Sequence, residues 1–405
     1  MAEKNLKPGW RKVKFGNVVQ LSKARSTDPL AEGIERFVGL EHMEPGDLRI
    51  RRWGNVADGV TFTSLFKHGQ VLFGKRRAYQ RKVAVADFSG VCSGDIYVLE
   101  CQDANVLLPE LLPFICQTNA FFDHAVGTSA GSLSPRTNWT SLADFEFALP
   151  PIHEQQRLVD VFSALDEQIE ALENAHLSAR TLKGSLAESA FPVSEVKKYL
   201  NAPEEYRGRA LAPIRELVAF QVGYPFKSAQ YSSQGDRLLR GSNVGVNRLN
   251  WDPEITCYWP IDRRAEVSEY VLIAGDIVIA MDRPFITEGF KVARITQDDL
   301  PALLLQRVGR FKVGEQVEAN YLWAFLHSES FKWQLQRMQK GTDLPHISKF
   351  DIEGTLIPKL TIDEQTAVAE CFSEIDASTS ALEIRIASAR FQRQLALHTA
   401  LGEEA

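Results

Sequence analysis

The densest run of chemistry-bearing side chains is Lys75, Arg76, Arg77, Arg81 and Lys82, five cations in eight residues with Tyr79 among them. Arginine forks suit phosphates and guanine edges, which they grip bidentately. Arg49, Arg51 and Arg52 form a second basic group before Trp53. Farther along, Arg237, Arg240 and Arg248 flank the polar stretch GSNVG, Arg283 sits in MDRP, and Arg307 and Arg310 frame QRVGR. The competing reading of any single arginine is a solvated strand face. Catalytic patterns fail on inspection. Gly69–Arg76 (GQVLFGKR) is one residue short of a phosphate-binding loop, because Arg76 stands where a Ser or Thr should hold magnesium. The alternating Val83–Asp87 also follows where that loop needs a helix. His153-Glu154 opens a string like the zinc-protease pair but ends it on Arg157. GxGxxG, GxSxG and the tetrapeptides of amino-methyltransferases are absent. The five cysteines (Cys92, Cys101, Cys116, Cys257, Cys371) make no CxxC, which removes the usual zinc spacings.

These residues must be positioned by a chain of 405 residues, long enough for two to three domains. With 44% hydrophobic and 24% charged residues it falls in the globular class. The longest apolar stretch, Tyr270–Met281, is broken by Gly275 and Asp276, so no membrane span is expected. No signal peptide is expected at the N-terminus, and an odd cysteine count without one predicts reduced thiols and a cytoplasmic protein.

An internal repeat organises the chain. EQQRLVDVFSALDEQIEALE (154–173) returns as EQTAVAECFSEIDASTSALE (364–383), matching at Glu154/Glu364, Gln155/Gln365, Phe162/Phe372 and Asp166/Asp376 among others. Gly127-Thr128 returns as Gly341-Thr342, and FKHGQVLF (66–73) has a counterpart in LIAGDIVI (272–279). Ordered matches of this kind indicate a duplication. Residues 152–190 and 362–400 lack proline and carry apolar residues every seventh place: Leu158, Leu165, Leu172, Ala179 and Leu186, then Val368, Ile375, Leu382, Ala389 and Ala396. Phe162, Ile169 and Phe372 widen the stripe. This predicts two long helices with a coiled-coil seam, each ~57 Å long at 1.5 Å per residue. Residues 1–150 and 211–360 mix short β-rich runs with turns and read as two α/β-type domains, with 191–210 as a connecting segment.

The net charge of −6 argues against a polyanion ligand until it is partitioned. Residues 1–150 carry 18 Lys/Arg against 16 Asp/Glu, and 191–360 carry 22 against 21. The helical segments 151–190 and 361–405 carry 3 against 7 and 3 against 8. The whole deficit lies in the helices, so any nucleic acid belongs to the globular parts.

GQVLFGKRRAYQRKVAVADFSGVCSGDIYVL (69–99), the proline-led LPPIHEQQRLVDVFSALDEQIEALE (149–173), and GYPFKSAQY (223–231), GDIVIAMDRP (275–284) and LLLQRVGRFKV (303–313) resemble the specificity subunit of type I restriction–modification systems. The likeness spans essentially the whole chain. Residues 21–37 depart from it by lacking the GxPF-type string of the second half. The resemblance implies an α+β fold: two globular α/β target-recognition domains in tandem pseudo-twofold repeat, separated by two long helices forming an antiparallel coiled coil. It implies a non-catalytic subunit that reads one half of a bipartite double-stranded DNA target per domain. The helices would set the spacer and dock two methyltransferase subunits through Leu158, Phe162, Leu165, Ile169, Leu172, Val368, Phe372, Ile375 and Leu382. A 57 Å ruler equals ~17 base pairs at 3.4 Å per step, reduced to about one turn by overlap and tilt. S-adenosylmethionine and ATP with magnesium would reside on the methyltransferase and motor-nuclease partners, none in this chain. The DNA-facing residues implied are Lys75, Arg76, Arg77, Tyr79, Arg136 and Ser134 in the first domain. Those in the second are Arg240, Asn243, Arg283, His346 and Lys349. Two other classes compete. A coiled-coil interaction scaffold explains the acidic helices but not the clustered arginines, and a self-sufficient methyltransferase lacks its cofactor loop.

Overall fold

The computed structural model describes residues 6–287, 289–338 and 346–401. Gly341-Thr342, expected to repeat Gly127-Thr128, lies outside the described residues. The chain divides into two units, Met1–Asn174 with Glu383–Ala405, and Ala175–Leu382. Both divisions fall inside the long helices, not at the expected borders 150/151, 190/191, 210/211 and 360/361. A helix belongs to the core that covers its buried stripe. The first half of one helix and the second half of the other pack into one core, and the remaining halves into another.

In unit 1 the strands are β1 (Arg11–Lys14), β2 (Val19–Leu21), β3 (Arg36–Val38), β4 (Gly54–Asn55), β5 (Ser64–Phe66), β6 (Val71–Gly74), β7 (Val83–Val85), β8 (Gly90–Cys92), β9 (Ile96–Cys101) and β10 (Glu146–Leu149). They form an antiparallel sheet β2-β9-β6-β7, a second sheet β4-β3-β8-β5 in which β3 and β8 are parallel, and a ribbon of β1 with β10. The helices are α1 (Leu112–Ile115), α2 (Asn119–Gly127), α3 (Trp139–Ala143) and the long α4 (Ile152–Ala190). Side chains alternate across β6. Val71 and Phe73 enter the core beneath α2, while Leu72 enters the core of the second sheet. A strand buried on both faces reads as an unbroken apolar run, as VLF does here.

Unit 2 repeats this plan. Its strands are β11 (Leu211–Pro213), β12 (Ala219–Val222), β13 (Asp236–Leu239), β14 (Cys257–Trp259), β15 (Ile277–Ala280), β16 (Phe285–Ile286), β17 (Gly289–Phe290), β18 (Val292–Arg294), β19 (Ala302–Leu304), β20 (Val308–Lys312) and β21 (Leu356–Pro358). The sheet β12-β20-β15-β18 answers β2-β9-β6-β7, and β14-β13-β19, with β13 parallel to β19, answers the second sheet. The ribbon β11–β21 answers β1–β10. Ile277 and Ile279 face one core, Val278 and Ala280 the other. The globular halves, which repeat weakly in sequence, therefore repeat almost strand for strand. The helices are α5 (Val193–Asn201), α6 (Ala319–Leu326), α7 (Glu329–Met338), α8 (Lys349–Glu353) and α9 (Ile362–Leu401). The segment 191–210, expected to be a connector, instead buries Phe191 and Val196 and forms α5.

Both long helices begin alike. The Gln155 amide, 1% exposed, donates to Val106 O (2.9 Å) and Pro150 O (2.8 Å) and accepts from Leu108 N (2.9 Å). Gln365, 0% exposed, donates to Gln316 O (3.2 Å) and Leu360 O (3.0 Å) and accepts from Glu318 N (2.8 Å). Thr361 and Glu364 close a capping box at the start of α9. Within unit 1 the helices run antiparallel, with Asp166 paired to Arg393 and Glu173 to Arg390 (2.8 Å). Within unit 2, Lys183 pairs with Asp376 in the same sense.

The seam differs in part from the expected column. Of the expected residues, Phe162, Ile169, Leu172, Phe372 and Ala389 are buried, whereas Leu158, Leu165, Val368, Ile375 and Leu382 are only half-buried, and the buried stripe of α4 also takes in Gln155 and Val159. Phe162 and Phe372 are core residues of their own units, in ring contact with Phe114 (5.0 Å) and Phe191 (6.2 Å). Buried there, neither can dock a partner.

Candidate nucleic-acid interface

The basic cluster lies at the end of β6 and in the loop leading to β7. Burial of the strand's apolar faces forces the polar residues that follow to emerge together at its end. Lys75 N–H donates to Asp95 O (3.0 Å), and Lys75 O accepts from Thr137 N–H (3.0 Å). The strand end is thus stitched to the residue before β9 and to the 128–137 loop. That loop closes on itself through reciprocal bonds between Ala130 and Arg136 (3.0 Å each). Arg77 takes a left-handed conformation (φ 54°) and its N–H donates to Pro135 O (2.7 Å).

Most of the five cations are engaged. The Lys75 ammonium sits over the Tyr97 ring (4.5 Å), and burial lowers its pKa ahead of the opposing pull of Asp95. Arg76 is held on three nitrogens: Nε and Nη2 donate to Ser134 Oγ (3.2 and 3.0 Å), and Nη1 to Asp95 Oδ2 (3.2 Å). Arg81 packs over Phe122 and donates to Asn119 Oδ1 (2.8 Å) and Gln117 O (3.2 Å). Lys82 donates to Leu40 O (2.7 Å). Tyr79 is 55% exposed. Arg136 gives only its Nε to Asp95 Oδ1 (2.9 Å), which directs the end of its fork elsewhere. Burial pulls the Asp95 carboxyl upward, but the bonds from Arg136 and Arg76 outweigh it and hold it below its usual value. The arrangement exposes Tyr79 and Arg136 and uses Arg76 as a brace, while Arg77 is half-buried with its Nε enclosed and unpaired.

The second arginine group is not part of this face. Arg49 pairs with Glu170, Arg51 with Glu173 (2.9 Å) and Asp47 (2.6 Å), and Arg52 with Glu44. The acidic face of α4 consumes two of the three.

In unit 2 the same corner recurs bond for bond. Gly74 N–H donates to Lys82 O (3.0 Å) as Ala280 N–H does to Lys291 O (3.0 Å). Lys75 N–H to Asp95 O is matched by Met281 N–H to Arg307 O (2.8 Å), and Thr137 N–H to Lys75 O by Ile347 N–H to Met281 O (2.9 Å). Arg283 (φ 46°) therefore stands where Arg77 stands, and His346 where Arg136 stands. Lys291 donates to Gly241 O, after β13, as Lys82 does to Leu40 O, after β3. Arg240, Asp282, Arg283, Lys291, Arg307 and His346 line one open cleft at this corner.

Of the residues expected here, Arg283 is exposed, and His346 Nδ1 donates to Asp282 Oδ1 (2.6 Å). Lys349 lies on α8, paired with Glu353 (3.5 Å). Arg240 turns inward, with Nη1 on Ile255 O and Cys257 Sγ (both 3.4 Å). Asn243 cannot meet an adenine. It is 0% exposed, its Oδ1 accepts from Arg240 N–H (3.1 Å), and its Nδ2 donates to Asn250 O (2.9 Å). Its amide shapes the loop, since a buried amide must satisfy its own hydrogen bonds. Sequence reasoning missed Asp95, Asp282 and Lys291. The signal for Lys291 was the tripeptide Lys82-Val83-Ala84, which returns as Lys291-Val292-Ala293. Missed too was Leu133, 90% exposed at the tip of the loop that supports Arg76.

Residues 54–179, which carry the basic corner, match the family model described as type I restriction modification DNA specificity domain. Over its matched stretches the chain is similar to type I restriction enzyme specificity subunits. It is 31% identical over 257 residues to the type I restriction enzyme MjaVIII specificity subunit of Methanocaldococcus jannaschii, covering 61% of this chain and 59% of that protein. It is 35% identical over 215 residues to the EcoAI specificity subunit of Escherichia coli, covering 53% of this chain and 35% of that one. The matched stretch thus takes in less than two thirds of either relative. In fold it is similar to the HsdS subunit from Thermoanaerobacter tengcongensis, with a TM-score of 0.51, 19% identity, and 98% and 97% of the two chains covered. No described helix is long and apolar enough to cross a membrane, and no group of described His, Cys, Asp and Glu residues is arranged to hold a metal.

Proposed function

We propose that this chain is a type I specificity subunit, the non-catalytic DNA-reading component of a cytoplasmic restriction–modification complex, each unit reading one half of a bipartite duplex target. The observation that carries this is the duplicated corner. At the same backbone position, both units hold a left-handed arginine, Arg77 and Arg283, beside an outward basic or ring-nitrogen group, Arg136 and His346. A corner kept in bonding but varied in side chains suits two readers of different half-sites. α4 and α9, in this reading, set the spacing between half-sites and dock methyltransferase subunits. Because Phe162 and Phe372 are buried, docking falls to apolar side chains left exposed on the helices: Val161, Leu177, Leu182, Ile384, Phe391 and Leu395. S-adenosylmethionine and ATP belong to the partner subunits.

The test is selection from a random-sequence duplex pool by the full chain with its methyltransferase. Two short fixed blocks separated by a constant gap support the reading, and an unpatterned pool refutes it. Deleting seven residues from each of α4 and α9 should shorten the gap; an unchanged gap removes the ruler role.

A further inference from the structure

The matching corners hold matching side-chain triads with permuted charges. The backbone bonds pair position 76 with 282, 95 with 307, and 136 with 346. Unit 1 reads Arg76, Asp95, Arg136, and unit 2 reads Asp282, Arg307, His346. In unit 1 the Asp95 carboxylate accepts from Arg76 Nη1 (3.2 Å) and Arg136 Nε (2.9 Å). In unit 2 the Asp282 carboxylate meets Arg307 Nη1 (2.9 Å) and His346 Nδ1 (2.6 Å). The acid has moved from the second place to the first, yet it still joins the same three points of the backbone. They are the end of the central strand, the edge of the next strand, and the segment that returns past it.

An aspartate on a face meant for phosphates opposes binding through its charge. Attraction for DNA alone gives no reason to keep one in each unit, at different places, bonded to both remaining members. Holding the three segments together does. The first triad member immediately precedes Arg77 in one unit and Arg283 in the other, so the bonded triad fixes the direction from which each left-handed arginine leaves the backbone.

We propose that the carboxylate-centred triads Arg76–Asp95–Arg136 and Asp282–Arg307–His346 are equivalent clasps that position Arg77 and Arg283 for sequence reading. The proposal rests on the DNA-reading function above. Asp95 and Asp282 are positioning residues, and their value lies in discrimination between sequences more than in attraction.

The full chain is tested on two duplexes of equal length, one selected from a random pool by the wild-type chain and one of unrelated sequence. A wild-type chain that binds both equally sinks DNA reading itself and says so before any variant is made. With wild-type discrimination in hand, Asp95→Asn should lower affinity for the selected duplex about tenfold, the scale of one lost base contact. Affinity for the unrelated duplex should hold or rise, because a negative charge has gone. A gain on both duplexes, or an equal loss on both, overturns the clasp. Arg76→Asp alone should lose discrimination. The double variant Arg76→Asp with Asp95→Arg takes the polarity of unit 2 at unchanged net charge and should restore it to within about threefold of wild type. A double variant that melts like wild type without regaining discrimination overturns the proposal. Where a single variant fails to fold, the double still decides.

Discussion

Replacing Gln365 by methionine keeps the length and most of the volume of the side chain but removes three hydrogen bonds. The carbonyls of Gln316 and Leu360 lose their donor, and the N–H of Glu318 loses its acceptor. A buried donor or acceptor left unpaired costs about 1–3 kcal/mol. Gln365 is 0% exposed, so water does not replace it without rearrangement. Three orphaned groups at that rate would cost about 3–9 kcal/mol, nearer the lower end because each carbonyl keeps a second lone pair for other donors, and the better burial of a thioether returns about 1–2 kcal/mol. The expected net loss is about 3 kcal/mol, which at 2–4 °C per kcal/mol for a body of this size lowers the melting midpoint of unit 2 by about 6–12 °C. Gln155→Met should do the same to unit 1. The assay is calorimetry of the full chain, with the two variants shifting different transitions. A midpoint within about 2 °C of wild type for both variants would refute the reasoning, because it would mean the amides are not what ties each helix start to its domain.

Asp166→Ala leaves Arg393, 6% exposed, without its carboxylate partner and should destabilise unit 1 by about 3–5 kcal/mol. Denaturant melts should show it, and Asp166→Leu with Arg393→Leu should recover most of the loss. Arg77→Ala and Arg136→Ala should each reduce selected-duplex binding by about 1–3 kcal/mol without moving the thermal midpoint. Equilibrium titration with a parallel melt separates that from a folding defect. Thiol labelling of the native chain at neutral pH should modify exposed Cys371 at once and leave Cys92 and Cys116 untouched until unfolding. Burial pushes Cys92 up to about 12 and the fully enclosed Cys116 well above its usual value. The Asp95 carboxyl sits below its usual value, so its contribution is complete at neutral pH and is lost only as pH falls through that lowered value. Discrimination at the half-site read by unit 1 should be flat from pH 8 to pH 5.

The long helices were legible to within a residue, Ile152–Ala190 and Ile362–Leu401, because proline marks their starts and heptad spacing runs unbroken through them. The repeat Gln155/Gln365 was visible but mute. Only the fold shows that an amide there closes a domain against a helix. The expected stripe held at Phe162, Ile169 and Leu172 but gave Leu158 the place that Val159 takes, since a leucine column is a natural seam until the polar Gln155 proves to be buried in it. At the site, composition found the cations but could not rank them. Five charges in eight residues look equivalent in a string. Whether each meets Ser134, the Phe122 ring, Leu40 O or open space depends on segments 30 to 60 positions away. Asn243 shows the opposite error, a side chain with the right donor and acceptor for adenine that its own loop uses up.

The division inside both helices sets an order on synthesis. Unit 2 is one unbroken stretch, but unit 1 is completed by residues from 383 onward, and Leu397 lies fully buried in its core. About 220 residues separate Asn174 from Leu397, on the order of 10–45 s of translation. The body begun first is therefore finished last, after the second has been made whole. Until then its core stands open along the groove where α9 will lie, with Phe114 and Phe162 at its floor.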